Sequence, residues 1–482
     1  MNRQLRRVAV VVGVMFLALL VNVNYLQVVE ASDLRTRPDN VRVLLDEYSH
    51  QRGPILVDAR QVALSRPTTD QLRYLRRYPQ GPLYAHLTGF YSLVYGASGM
   101  ERAADGVLSG SDDRLFTRRI VDALTGRQQR GGSVELTIDS RAQQAAAKAL
   151  GNRRGAVVAL DPSTGAVLAM VSRPSYDPNL LASHDPKAIR AAYRRLSAAP
   201  GQPMLNRAIA QRYPPGSTFK LVTAAAALSS GRYTPQTPVP GPARLDLPLT
   251  TAALPNYDGA QCTAGSDTTT LAEALRRSCN TTFGAVGMAL GAQALADQAH
   301  AFGFGRSLEL PLTAARSVFP ADADAPHTAQ SAIGQYDVAA TPLQMAMVVA
   351  GIANRGVVMR PYLVSEVRGP DLSLLSRTRP EELSRAVSPE VAATLTQMMV
   401  DVVERGTGPN GAIPGVTVAG KTGTAEHGTN RPHAWYVSFA PADHPLVAVA
   451  VIVENGGDAP EVSGNQIAAP IARAVMEAVL GR

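Results

Sequence analysis

The sequence predicts an α+β fold, and three observations carry that prediction. The stretch "GAVVALDPSTGAVLAMVS" from Gly155 is two apolar runs joined by Asp-Pro-Ser-Thr-Gly, a hairpin signal because proline and glycine suit the turn. Near the other end, "VTVAGKTGTAE", "AWYVSFAP" and "PLVAVAVIVEN" are three more β-rich segments with turn residues between them. Helical patterns fill the middle, among them "STFKLVTAAAAL", "TLAEALRRS", "FGAVGMALG" and "TPLQMAMVVAGIANRG", and a last helix, "NQIAAPIARAVMEAVL", closes the chain. Strands at both ends with helices inside imply one domain whose sheet joins distant parts of the sequence.

The elements before that domain read in order as follows. Residues 1–7 carry Arg3, Arg6 and Arg7 and precede an uncharged run over 8–29, long enough to span a bilayer as a helix. Positive charge on the short side keeps that side cytoplasmic, so the remainder is expected outside. A cleaved signal peptide is the competing reading, with "VEAS" at residues 29–32 as its cleavage site; the length of the apolar run favours an uncleaved anchor. Residues 30–138 show short motifs, many arginines and few long apolar runs, and are expected to form a small elongated domain rather than an enzyme core. In "LTIDSRAQQAAAKAL", Asp139 is placed to cap an Ala-rich helix. Residues 139–482 form the α+β domain.

Composition narrows the function. At 482 residues the chain suggests two or three domains, and an apolar content of 45% excludes a mostly disordered chain. Most of the net charge of +8 lies in the first 150 residues, which suits an anionic lipid or wall-polymer surface. Aromatics are only 5%, without the basic and aromatic interleaving that binds single strands, so no nucleic-acid partner is expected. The two cysteines, Cys262 and Cys279, would lie in an oxidising compartment where disulfides persist. A bridge between them would close a loop for which chain entropy gives about 3 kcal/mol. The sequence does not fix their separation, so bridge and free thiols both stay open; free thiols in the unreduced protein would reject the bridge.

Lysine usage points to the chemistry. Of 47 Lys plus Arg only four are lysines: Lys148, Lys187, Lys220 and Lys421. Lys148 and Lys187 read as solvated charges. Lys220 sits three residues after Ser217 in "RYPPGSTFKLVTAAAAL", where a Pro-Pro-Gly turn gives way to helix formers, so both side chains share one face of a helix start. A serine hydroxyl is a weak nucleophile until a neighbour takes its proton, and a lysine can do so once desolvation or a nearby positive charge makes it neutral. The helix start also directs free N–H groups toward a developing oxyanion. Alone, the tetrad would equally fit a capping serine followed by an amphipathic lysine. It is followed by Ser278, Cys279 and Asn280 in "RRSCNTTFG" and by Lys421, Thr422, Gly423 and Thr424 in "VAGKTGTAEHG". Together these give the order S-x-x-K, S-x-N, K-T-G of β-lactamases and penicillin-binding proteins.

With these motifs, and with "RGPILVDARQVAL", "GASGME", "LTID", "LNRAIAQRYPPGSTFK", "AIGQYDVAATPLQMA" and "HAWYVSFAP", nearly the whole chain resembles the class B penicillin-binding proteins, most closely the short actinobacterial penicillin-binding protein A type. The resemblance implies a penicillin-binding, serine β-lactamase-like transpeptidase domain, with an antiparallel sheet flanked by helices, on a noncatalytic pedestal and a membrane anchor. It implies a D,D-transpeptidase in which Ser217 attacks the penultimate D-Ala carbonyl of a stem pentapeptide, with Lys220 as base. Ser278, hydrogen-bonded between Lys220 and Lys421, would relay a proton to the leaving amine, and Asn280 would position the donor amide and Lys220. Lys421 would supply a fixed positive charge near the substrate carboxylate, hydrogen-bonded by Thr422 and Thr424, and the N–H groups of Ser217 and Thr424 would form the oxyanion hole. Peptidoglycan stem peptides, β-lactams, the membrane, a membrane glycan polymerase and division or elongation proteins are the implied partners. No cofactor or metal is expected.

Arg52, Gly53 and Glu101 belong to the family's noncatalytic segments and read as packing and ion-pair residues. His427 and His433 read as rim or turn histidines. A D,D-carboxypeptidase or a β-lactamase could use the same three motifs, and a division scaffold with a weak site is a further alternative. A β-lactam sensor is disfavoured because so little chain precedes the anchor.

Overall fold

The computed structural model describes residues 2–28, 47–115, 125, 128, 130–257, 259–308, 310–428, 430–456 and 462–482. The "VEAS" segment lies outside the described residues, as does most of the linker that follows the first helix. Helix α1 (Asn2–Val28) is one exposed apolar rod, and Arg3–Gln27 within it is long and apolar enough to cross a bilayer.

Beyond it stand β1 (Ile55–Val57), β2 (Arg60–Pro67), β3 (Tyr74–Arg77) and β4 (Ser133–Leu136), then α2 (Ser140–Leu150), β5 (Gly155–Leu160) and β6 (Val167–Arg173). The middle holds α3 (Lys220–Ser229), α4 (Leu271–Arg277), α5 (Asn280–Leu290) and α6 (Pro342–Ala353). The chain continues through β7 (Val364–Arg368), β8 (Leu374–Arg377), α7 (Pro389–Arg405), β9 (Ala419–His427), β10 (Asn430–Ala440), β11 (Val447–Val453) and α8 (Ala469–Val479).

The main sheet has the order β9-β10-β11-β5-β6, antiparallel throughout. The expected hairpin from Gly155 is β5–β6, and β11 pairs with β5, which is how the two ends of the sequence meet. Strand β11 is buried along its whole length because both faces are covered. Val447, Val449, Val451 and Val453 pack toward α2 and α8, while Ala448, Ala450 and Ile452 face the opposite core, the two-residue period of a strand. On that opposite side lies α6, every residue of which is buried. Its apolar pattern runs all round because sheet and helices enclose it, and its length is far short of a membrane span.

The second sheet runs β8-β7-β4-β1-β2-β3. Its first two strands come from residues 364–377, so the sheet of the amino-terminal part is completed by a segment from the middle of the catalytic part. Glu101, on the short helix Gly99–Ala103 beside this sheet, is fully buried, accepting from Arg52 Nε at 2.7 Å and Arg76 Nε at 2.6 Å. The ion-pair reading of Arg52 and Glu101 matches this arrangement.

Candidate active site

Ser217 lies in a 3-10 turn, Gly216–Phe219, and Lys220 opens α3 directly after it. In a 3-10 turn residues three apart eclipse, so Ser217 and Lys220 point the same way. Gly216 has φ +53°, and a Cβ there would lie 2.7 Å from the Thr424 carbonyl oxygen. A Cβ on Gly423 would meet Thr218 Cγ2 at 2.9 Å and Trp435 Cβ at 3.0 Å. The two glycines thus let the serine turn lie flat against the edge strand β9, which carries Lys421, Thr422 and Thr424.

The second motif comes to the same place from the α4–α5 junction. Ser278 ends α4 in the left-handed region, φ 63° and ψ 39°, a conformation a serine adopts only when its surroundings impose it. That turn delivers its hydroxyl between two amines: Lys421 Nζ donates to Ser278 Oγ at 2.7 Å, and Lys220 Nζ lies 3.4 Å from the same oxygen. Lys220 also donates to the Ser278 carbonyl at 2.6 Å and to Asn280 Oδ1 at 2.7 Å. Among the described residues Ser217 Oγ makes no hydrogen bond in this resting arrangement. Catalytic contacts commonly close only around substrate.

The amines are unusual in their burial. Lys148 and Lys187 are exposed, whereas Lys220 and Lys421 are fully buried, with no carboxylate partner among the described residues. Burial, and secondarily the charge of Lys421, holds Lys220 well below the ordinary lysine range. Burial alone brings Lys421 down to about 7. At that value the group is only partly charged at neutral pH, where a fixed positive charge was expected. The ammonium is lowered toward neutrality by burial, even though it donates to Ser278 Oγ and to the Thr422 carbonyl at 2.9 Å.

Ser217, Ser278, Asn280, Thr422, Gly423 and Thr424 line one cleft of about 970 Å³. Thr422 Oγ1 lies 2.8 Å from Thr407 Oγ1, two residues past the end of α7, a neighbour that reading along the sequence missed. Gln335, with its carboxamide oriented to satisfy both ends, donates to the Glu426 carbonyl at 3.2 Å and accepts from the Glu426 amide at 3.1 Å, holding the free edge of β9. Asn256 was missed as well, since "LPNYDG" reads only as a turn; it approaches Asn280 from 24 residues away. Cys262 and Cys279 are disulfide-bonded, with Cα atoms 5.7 Å apart.

His433 is neither at the rim nor in a turn. It is buried on β10, its ring 5.4 Å from that of Tyr213, because the inward register of the strand carries it under the serine turn. The side chain of His427 lies outside the described residues. Among the described residues no cluster of three or more His, Cys, Asp or Glu side chains could hold a metal.

Comparison with known proteins matches this geometry. Residues 155–477 match the penicillin binding protein transpeptidase domain, and residues 52–134 the penicillin binding protein A dimerisation domain. The chain is 52% identical to the peptidoglycan D,D-transpeptidase PbpA of Mycolicibacterium smegmatis, over 100% of this chain and 99% of that one. It is 50% identical to PbpA of Mycobacterium tuberculosis over the same shares. The structure of penicillin-binding protein A from M. tuberculosis as its ceftriaxone acyl-enzyme superposes with a TM-score of 0.88 at 50% identity, covering 90% of this chain and 100% of that one. Its penicillin G acyl-enzyme gives 0.86 at 49%, with the same coverage. With two domain matches in the expected order and half the residues shared from end to end, the chain belongs to the class B penicillin-binding proteins, in the penicillin-binding protein A branch.

Proposed function

We propose that Ser217 is the nucleophile through which this chain performs peptidoglycan D,D-transpeptidation. The observation that carries the reading is a pair of buried lysines on either side of the Ser278 hydroxyl, in the cleft that Ser217 lines. Lys220 in its neutral form takes the Ser217 proton as Oγ attacks the penultimate D-Ala carbonyl of a stem peptide. The N–H groups of Ser217 and Thr424 hold the oxyanion, and Ser278 passes a proton to the departing D-Ala amine. An acceptor amine then displaces the acyl group and restores the serine. Asn280 keeps Lys220 oriented and receives the donor amide. Lys421 is drawn to its charged form when a substrate carboxylate enters beside Thr422 and Thr424. A β-lactam follows the same first step and stays on Ser217.

The same reading divides the chain into a cytoplasmic tail (1–7), a single anchor (8–29), a pedestal (30–138) and an extracytoplasmic transpeptidase domain (139–482). Three arginines before an exposed apolar helix support that orientation. A membrane glycan polymerase, working with division or elongation proteins, supplies the strands an anchored cross-linker needs.

One experiment tests nucleophile and anchor together. Spheroplasts carrying the full chain are treated with benzylpenicillin, fractionated, and the adduct is mapped by mass spectrometry beside a Ser217→Ala control. The expected result is a penicilloyl mass on the Ser217 peptide, absent in the control, on a chain that resists alkaline extraction from membranes. Folded chain without an adduct overturns the nucleophile; adduct on a chain that washes free overturns the anchor.

A further inference from the structure

Helix α5 begins with Asn280, yet it has no capping side chain of its own: Cys279 stands at the N-cap and its sulfur is committed to the disulfide. Free N–H groups at a helix start need acceptors. Here they are met from a distant loop. Asn256 Oδ1 accepts from the Asn280 amide at 2.8 Å, the Thr281 amide at 3.1 Å and Thr281 Oγ1 at 3.3 Å. Its other end is fixed, because Nδ2 donates to the Ala260 carbonyl at 2.8 Å and the Pro242 carbonyl at 3.2 Å. The side chain is buried and all of its hydrogen-bonding capacity is spent on these contacts.

The neighbouring residue continues the arrangement. The Pro255 carbonyl accepts from Asn280 Nδ2 at 3.1 Å, which decides which end of that carboxamide faces Lys220. Asn280 Oδ1 then accepts from Lys220 Nζ at 2.7 Å. Farther along the same loop, Cys262 is bonded to Cys279. The loop is therefore pinned to the second motif at both ends, and the Asn256 carboxamide is the pin nearest the base.

We infer that Asn256 is a positioning residue for acylation: it holds Asn280, and through Asn280 the amine of Lys220, in register with Ser217. The inference rests on the transpeptidase reading above. Removing its carboxamide leaves two helix amides without acceptors and frees Pro255 to drift, so Asn280 Oδ1 no longer tracks Lys220. The ammonium form then keeps the Ser278 carbonyl as its main acceptor and becomes less favourable. Lys421 on β9 is the charged group that faces Lys220; α4 and α5 present Ser278, Asn280 and the Phe283 ring, none of them charged.

The test is a double-mutant cycle on the full chain in detergent, reading the second-order rate constant for acylation by benzylpenicillin against pH for wild type, Asn256→Ala, Asn280→Ala and the double variant. Asn256→Ala is expected to be about 10- to 100-fold slower at neutral pH, the size that misplacement of a catalytic group produces. The acid limb of its profile should move to lower pH. The double variant should be no more than about twofold slower than Asn280→Ala alone, since the two side chains act as one unit. A wild-type rate for Asn256→Ala, or losses that multiply in the double variant, overturns the inference. If Asn256→Ala does not fold, Asn256→Asp takes its place; it keeps an acceptor oxygen but loses both donors, and the same non-additive loss is expected. A wild-type chain that forms no adduct overturns the transpeptidase reading itself, and is distinguishable because no variant comparison then arises.

Discussion

Lys421 is fully buried at the edge of the main sheet, and the cost of keeping its charge there shows as an ammonium held at about 7. In the unfolded chain the same group titrates at about 10.4. Between those values the unfolded state binds a proton the folded state has released, so stability rises with pH across that window and gains no slope from this group below it. Lys220 acts in the same direction. Lys421→Met should therefore shrink the rise in melting temperature between pH 7 and 10 while abolishing acylation. Trp435, the only tryptophan and buried beside Gly423, reports the melting by fluorescence. Parallel curves for the variant and the wild type would refute the assignment. Both lysines were legible in the sequence, because in so arginine-rich a chain a retained lysine stands out. Two features were not: the left-handed turn at Ser278, which serine does not signal, and the cap from Asn256, whose partners lie 24 and 25 residues away.

Among elements, α2 shows how far local rules reach. Asp139 caps it as its sequence predicts, its carboxylate accepting from the Arg141 amide at 2.8 Å and the Ala142 amide at 3.1 Å. The helix packs with α8 on the face of the main sheet away from Ser217. Asp139→Ala should then cost about 1 kcal/mol. This would lower the melting temperature by about 2–4 °C and leave the rate of penicillin acylation unchanged. A slowed acylation with an unaltered melting point would contradict the placement. The β5–β6 hairpin was legible for the same reason, since its turn residues sit between its strands. What escaped sequence reading was pairing across distance: nothing in "VSEVR" or "LLSR" distinguishes strands that join the main sheet from strands that complete the other one.

That second sheet sets how the whole molecule behaves under stress, because β7 and β8 tie the pedestal strands to the catalytic core through backbone pairing. Glu101 is the polar centre of the pedestal. Burial pushes its carboxyl up, but Arg76 and Arg52 outweigh burial and hold it below the usual range, and the Tyr78 hydroxyl donates to it at 3.1 Å. Glu101→Ala leaves the buried Arg76 guanidinium without its carboxylate and Arg52 with Asp105 alone, a loss of about 3–5 kcal/mol, or on the order of 10 °C in melting temperature. The shared sheet adds a sharper expectation. Trp435 lies in the other sheet, yet its fluorescence transition should fall together with the loss of circular dichroism, because disordering the pedestal removes the partners of β7 and β8. A Trp435 transition that stays at the wild-type temperature after an earlier loss of secondary structure would show pedestal and catalytic core unfolding independently. The continuity of the sheet from β3 to β8 would then carry no mechanical coupling. A joint shift would mean that the amino-terminal domain around Glu101 sets the temperature range over which acylation is available.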